Sequence, residues 1–177
     1  MRRLGDASLA AATARMIRVD HAGEYGAVRI YQGQRALLGR GRAGPVLAHM
    51  QAQEEAHLAR FAALIAERGV RPTALLGVWH LAGFALGAAT AALGERTAMA
   101  CTVAVEEAIC AHYAAQEAAL GDQDAGLRTT IAGFRAEEAE HRAIGLDHDA
   151  RAAPGYRLLS GAIKVGCRVA IALSERF

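Results

Sequence analysis

At 177 residues the chain has the length of one domain, with room for a helical core but not for two independent ones. A formal charge of +2, 53% hydrophobic residues and no long basic run exclude a disordered chain and a nucleic-acid partner. Cys101, Cys110 and Cys167 have neither metal-motif spacing nor the density of a disulfide scaffold, and read as small core residues in a reducing interior.

The opening MRRLGDASLAAATARM lacks a run of strong hydrophobes, so no secretory signal is expected there. It reads as the start of a first helix, with Asp6 or Ser8 as its N-cap. Ile17, Glu24, Val28, Tyr31 and Leu38 recur at helical spacing and predict that helix over about 9–38, broken by Gly39, Gly41 and Gly44. Pro45 suits the first turn of a second helix, which places Leu47, Met50, Glu54, His57, Phe61 and Leu64 on one face before Gly69 and Pro72 stop it.

The stretch 72–94 has no Lys, Arg, Asp or Glu in 23 positions. It is long enough to cross a bilayer, yet its Ala and Gly content and His80 make it weak as a spanning segment. It reads as a long crossover connection that lies against a membrane or covers an apolar tunnel, with a buried bundle helix and a transmembrane helix as alternatives. A third helix near 95–120 aligns Met99, Val103, Glu106, Ile109, Tyr113 and Leu120. A fourth near 123–147 aligns Leu127, Ile131, Phe134, Glu138, His141 and Gly145. After Pro154 and Gly155, a last helix over about 156–175 mixes Leu158, Ile163, Val165, Val169 and Leu173 with Lys164 and Arg168, which suits an interfacial helix or one packed on the crossover segment.

Across these elements one pattern occurs twice. Glu24 precedes Tyr31 by seven positions and is followed by the Glu-x-x-His step of Glu54 and His57; Glu106 precedes Tyr113 by seven and is followed by Glu138 and His141. Residues three apart share a helix face. The repeat selects Glu106 over Glu107 and Glu138 over Glu137. Burying such carboxylates in apolar stripes costs several kcal/mol each unless a cation compensates. Four carboxylates and two imidazoles on four helices are the ligand set of a di-iron or di-manganese bundle, and oxygen-rich ligation favours these metals over structural zinc. The expected fold is therefore all-α: a ferritin-like four-helix bundle with a di-iron centre plus two additional apolar helical segments, in a single domain spanning 1–177. Tyr31 and Tyr113 could hydrogen-bond the carboxylates or line a substrate cavity, and Asp20, His21, Asp147 and His148 could orient ligands. Gly23 and Gly26 leave room beside Glu24 for a ligand or a neighbouring helix.

RVDHAGEYGAVRIYQGQ at 18–34, QEEAHL at 53–58, CTVAVEEAICAHY at 101–113, EEAEHRAIGLDHDA at 137–150 and GCRVAIALSERF at 166–177 closely resemble the demethoxyubiquinone hydroxylase family, bacterial form. The resemblance implies a di-iron monooxygenase that uses two iron ions (Fe) and dioxygen to hydroxylate 2-polyprenyl-3-methyl-6-methoxy-1,4-benzoquinol in ubiquinone biosynthesis. It implies Glu24, Glu54, His57, Glu106, Glu138 and His141 as iron ligands, with Glu54 and Glu138 bridging, and His112 and Tyr113 near the quinone; Tyr31 is a substrate candidate by its place on the Glu24 face alone. It further implies a peripheral place on the cytoplasmic side of the inner membrane and a lipid-binding partner protein; a homo-oligomer is an open partner that the sequence does not decide. An iron-storage bundle and a non-catalytic lipid carrier are the competing readings.

Overall fold

A computed structural model describes the backbone of residues 4–177 and the side chains from residue 9 onward. Six α-helices follow one another: α1 Leu4–Leu38, α2 Gly44–Arg68, α3 Leu76–Ala92, α4 Glu95–Leu120, α5 Ala125–Asp147 and α6 Tyr156–Arg176, with a short 3-10 turn at Ala150–Ala152. The capping role expected of Asp6 or Ser8 lies outside the described side chains.

The helix ends follow local chemistry. Pro45 sits in the first turn of α2, where a missing N–H costs nothing. The same helix stops at Gly69, whose φ of 62° is a left-handed conformation that glycine alone adopts without penalty. Helix α5 begins one residue after Asp124, whose Oδ1 accepts from the Leu127 amide at 3.1 Å while its carboxylate pairs with Arg68 of α2.

The guanidinium of Arg68 holds the Asp124 carboxyl below its usual range, partly offset by burial. A depressed folded-state pKa stabilises above the unfolded value, about 3.9, and that stabilisation disappears as pH falls through the folded value. Asp124→Ala is therefore expected to cost about 1 kcal/mol at pH 7. The deficit against wild type should shrink progressively below about pH 4, measured by urea melts at both pH values.

Helices α1, α2, α4 and α5 form the bundle. Their inward faces are the ones the spacing predicts: Ile17, Tyr31, Leu47, Met50, Phe61, Leu64, Met99, Val103, Tyr113, Leu120, Leu127 and Ile131 are all buried. These residues fall into two apolar clusters, one around Tyr31, Met50 and Met99 and one around Ile17, Phe61 and Tyr113. The carboxylates and imidazoles occupy the level between them. Numbers that rise along α1 fall along α4, since Tyr31 meets Glu106 and Asp20 meets Gln116, so these helices are antiparallel. Gln53 with His141 and His57 with Glu137 give the same relation for α2 and α5.

Helix α3 turns the 72–94 segment into a crossover that lies along α1, outside the four-helix core. Close approach there is a backbone matter: a Cβ on Gly87 would run into the Ile30 carbonyl, and one on Gly33 into the Phe84 carbonyl. At Gly23 and Gly26 an added Cβ would meet nothing within 4 Å, so their own missing side chains are not what the packing requires; α3 does approach Gly26, where a Cβ on Gly83 would run into the Gly26 carbonyl. With 17 residues α3 is about 25 Å long, short of the roughly 30 Å hydrocarbon core of a bilayer. Among the described residues no helix is long and apolar enough to cross a membrane.

Helix α6 packs on α4 and α1 rather than along α3. Ile163 joins Cys101, Ala104 and Val105 of α4 in a third apolar cluster, and Lys164 pairs with Glu107. The end of α6 reaches α3 through the Trp79 indole, which donates to Ser174 Oγ at 3.1 Å. All three cysteines are free; Cys101 is buried and Cys110 and Cys167 are half-buried.

Candidate metal centre

Each bundle helix delivers its polar residues to the middle level because they share the apolar stripe of that helix. Glu24 comes from α1, Glu54 and His57 from α2, Glu106 from α4, and Glu138 and His141 from α5. None is more than 1% exposed.

The contacts are shared in an ordered way. His57 Nδ1 stands 3.1 Å from Glu138 Oε1, 3.5 Å from Glu24 Oε2 and 4.0 Å from Glu54 Oε2. His141 Nδ1 stands 3.1 Å from Glu54 Oε1, 3.1 Å from Glu138 Oε2 and 4.0 Å from Glu106 Oε1. Glu54 and Glu138 thus offer one oxygen to each imidazole, whereas Glu24 reaches only the first and Glu106 only the second. Two overlapping groups result, Glu24 with Glu54, His57 and Glu138, and Glu54 with Glu106, Glu138 and His141; in each, one ligand atom per residue lies within 4.8 Å of the others.

A pair of divalent cations fits this donor set. Glu24 Oε2, both oxygens of Glu54 and Glu138, Glu106 Oε2, and the Nδ1 atoms of His57 and His141 are buried without a hydrogen-bond partner. Orphaned donors and acceptors in this number are not left in a folded core without compensation. Two divalent cations would balance the four carboxylates charge for charge. Without them the centre has to hold protons. Burial, reinforced by the neighbouring carboxylates, pushes Glu54 and Glu106 well above the usual carboxylate range. Burial opposes charge on His57 too, but Glu138 and Glu24 outweigh it and push the imidazole up to about 10.

The tyrosines join the two repeats crosswise. Tyr31 donates to Glu106 at 2.8 Å and Tyr113 donates to Glu24, so each hydroxyl serves the carboxylate of the other half. Both rings are buried, and burial together with the surrounding carboxylates raises their pKa values well above 10.0, which keeps the hydroxyls protonated as donors. Phe134 stacks on the His57 ring at 3.9 Å between centroids, and Tyr31 meets His141 edge-on at 6.0 Å.

His112 is the partly open residue of this region. Its side chain is 19% exposed, and its Nε2 lies 3.3 Å from Asp20 Oδ1 and 2.9 Å from Gln116 Nε2. Asp20 is buried, which raises its carboxyl to about 6 against the opposing pull of His112. Asp20 therefore contacts His112 and Gln116 rather than orienting a candidate ligand directly. His21 is half-buried with Nδ1 unpartnered. His148 pairs with Glu95 at 2.8 Å, and Asp147 is exposed, so neither orients the centre as their sequence position suggests.

Two functional neighbours escape a reading of the sequence alone. Gln53 and Glu137, the residues just before Glu54 and Glu138, bind the outer Nε2 atoms of His141 and His57 at 3.0 Å each. Their equal position in the repeat is the one signal that points to them.

The family described as "Ubiquinone biosynthesis protein COQ7" matches residues 11–174. A 3-demethoxyubiquinol 3-hydroxylase of Rhodospirillum rubrum is 60% identical over 173 residues, covering 97% of this chain and 82% of the relative. The mitochondrial NADPH-dependent 3-demethoxyubiquinone 3-hydroxylase of Homo sapiens is 56% identical over 170 residues, covering 94% and 78%. The mitochondrial 5-demethoxyubiquinone hydroxylase of Saccharomyces cerevisiae is 40% identical, covering 92% and 77%.

Proposed function

Because the chain belongs to the COQ7 family of ubiquinone biosynthesis proteins, we infer that its buried centre serves the 3-hydroxylation of a demethoxyubiquinol, 2-polyprenyl-3-methyl-6-methoxy-1,4-benzoquinol, by dioxygen. The observation that carries this reading is the pair of overlapping ligand groups sharing Glu54 and Glu138. Glu24, Glu54, Glu138 and His57 would hold one iron ion, and Glu106, Glu54, Glu138 and His141 the other. Bound iron would supply the electrons and Lewis acidity that dioxygen activation requires.

The chain's own residues set the conditions for that chemistry. Tyr31 and Tyr113 hold Glu106 and Glu24 by hydrogen bonds to Oε1, leaving Oε2 of each buried without a hydrogen-bond partner; at Glu24 that oxygen faces His57 Nδ1 at 3.5 Å. The apolar clusters on both sides keep bulk water from the level of the ligands. His112, partly exposed and next to Tyr113, is placed to meet a quinol ring arriving from outside.

The same reading gives α3 and α6 a role. A polyprenyl tail resides in a bilayer, and both helices expose apolar side chains: Val78 and Leu81 on α3, and Leu158, Val165 and Val169 on α6, where Leu158 is 81% exposed. Spacings of seven and four put the three α6 residues in one stripe, with Arg157 and Arg168 nearby. We place the enzyme peripherally on the inner membrane through this surface. Replacing Leu158, Val165 and Val169 together with Glu is expected to abolish co-flotation with anionic lipid vesicles and leave the helical circular dichroism unchanged; undiminished flotation would remove α6 from the membrane surface.

The activity is tested by incubating iron-loaded protein with the demethoxyubiquinol, a reductant and dioxygen, and seeking a product one oxygen heavier. Its absence from folded, iron-loaded protein would overturn the hydroxylase reading. A hollow multi-subunit particle holding hundreds of iron atoms would replace it with storage.

A further inference from the structure

Gln53 and Glu137 connect the two imidazoles on the side away from the carboxylates. His57 Nε2 lies 3.0 Å from Glu137 Oε2, Gln53 Nε2 donates to the same oxygen at 3.1 Å, and Gln53 Oε1 lies 3.0 Å from His141 Nε2. The chain His57, Glu137, Gln53, His141 is therefore continuous across α2 and α5.

Donor chemistry assigns every proton in it. An ionised carboxylate only accepts, so His57 Nε2 must carry a hydrogen. The Gln53 amide group spends its NH2 on Glu137, so its oxygen faces His141, whose Nε2 must carry one as well. With hydrogen held at Nε2 by the bridge, Nδ1 is the nitrogen left to give up its proton when a metal binds, and its lone pair then points inward, which is the form a metal ligand needs. The arrangement also explains why one position is an amide and the other a carboxylate. Two carboxylates here would repel each other, and two amides would leave both histidines with neutral acceptors.

The bridge has unequal ends. A hydrogen bond to a charged acceptor is roughly twice as strong as a neutral one and makes the opposite ring nitrogen the better electron donor. We propose that Gln53 and Glu137 form a positioning bridge that fixes both ligand histidines in the Nε2–H form and, by giving His57 a carboxylate and His141 an amide, makes the metal position at His57 the tighter of the two. This rests on the metal-centre reading above and adds to it an inequality between positions that the internal repeat would otherwise make alike.

The test is anaerobic titration of the whole metal-free protein with 57Fe(II), followed by calorimetry and by Mössbauer spectra at one and two equivalents. Wild type is expected to bind in two resolved steps, with one quadrupole doublet at one equivalent and a second appearing at two. Glu137→Gln should weaken the first step by about 10–100-fold, so that the steps merge and both doublets appear from the start. The double exchange Q53E/E137Q keeps the bridge with its ends transposed and should restore two unequal steps. A merely structural role would not give that rescue. An E137Q isotherm equal to wild type, or a double variant that behaves like E137Q, would overturn the proposal. Wild-type protein that binds two ions in one indistinguishable step would overturn it too, with the metal centre standing; folded protein that binds no iron would overturn both.

Discussion

Glu138→Ala is expected to lower hydroxylated product in the iron-loaded assay to below about one hundredth of wild type, beyond the 10–100-fold that loss of an outer partner costs. Glu138 is singled out because its two oxygens stand 3.1 Å from both imidazoles, so its removal damages both proposed iron positions at once. The change also takes from each of His57 and His141 a carboxylate contact of 3.1 Å and leaves a small cavity in its place. Glu137→Ala, one residue away and 42% exposed at its side chain, removes no inward-facing ligand and should retain measurable product. Product mass after a fixed time, with iron content measured on the same sample, checks the pair. An active Glu138→Ala variant would sink the ligand assignment.

Glu106→Gln should separate stability from loading. In metal-free protein, burial and the neighbouring Glu138 push the Glu106 carboxyl well above its usual range, so keeping it ionised is costly. The amide has the same shape, its oxygen can still accept from Tyr31, and its NH2 can donate toward Glu138. Metal-free Glu106→Gln is therefore expected to be more stable than metal-free wild type by about 1–2 kcal/mol, a usual gain when a strained functional site is relieved. Iron reverses the order. A ligand that binds only the folded state at a thousand times its Kd adds about 4 kcal/mol to wild type, and a variant with one position spoiled gains less. Thermal melts of both proteins with and without iron decide it; equal melting points in all four samples would count against a buried metal centre.

Much of this architecture is legible in the amino-acid sequence. The helices and the six inward residues follow from periodicity, because a Glu three positions before a His on an apolar stripe has one face to occupy and one reason to be buried there. Glu106, which the repeat selects over its neighbour, turns inward, whereas Glu107 turns outward to Lys164 and Arg142. Less legible are the residues that orient the ligands. Asp147 and His148 resemble candidates by proximity in sequence, yet they fall where α5 ends, and His148 is taken by Glu95.

The repeat itself is visible in the sequence, but its crosswise wiring is not. Seven residues carry a helix about 10 Å along its axis, so neither tyrosine stands level with the glutamate that precedes it. Because α1 and α4 run antiparallel, Tyr31 comes level with Glu106, 75 positions away, and Tyr113 with Glu24, 89 positions away. The same reversal between α2 and α5 brings Gln53 to His141 and Glu137 to His57. Periodicity determines which face a side chain occupies; which partner waits at that height depends on the direction and register of the neighbouring helix, and only packing decides that.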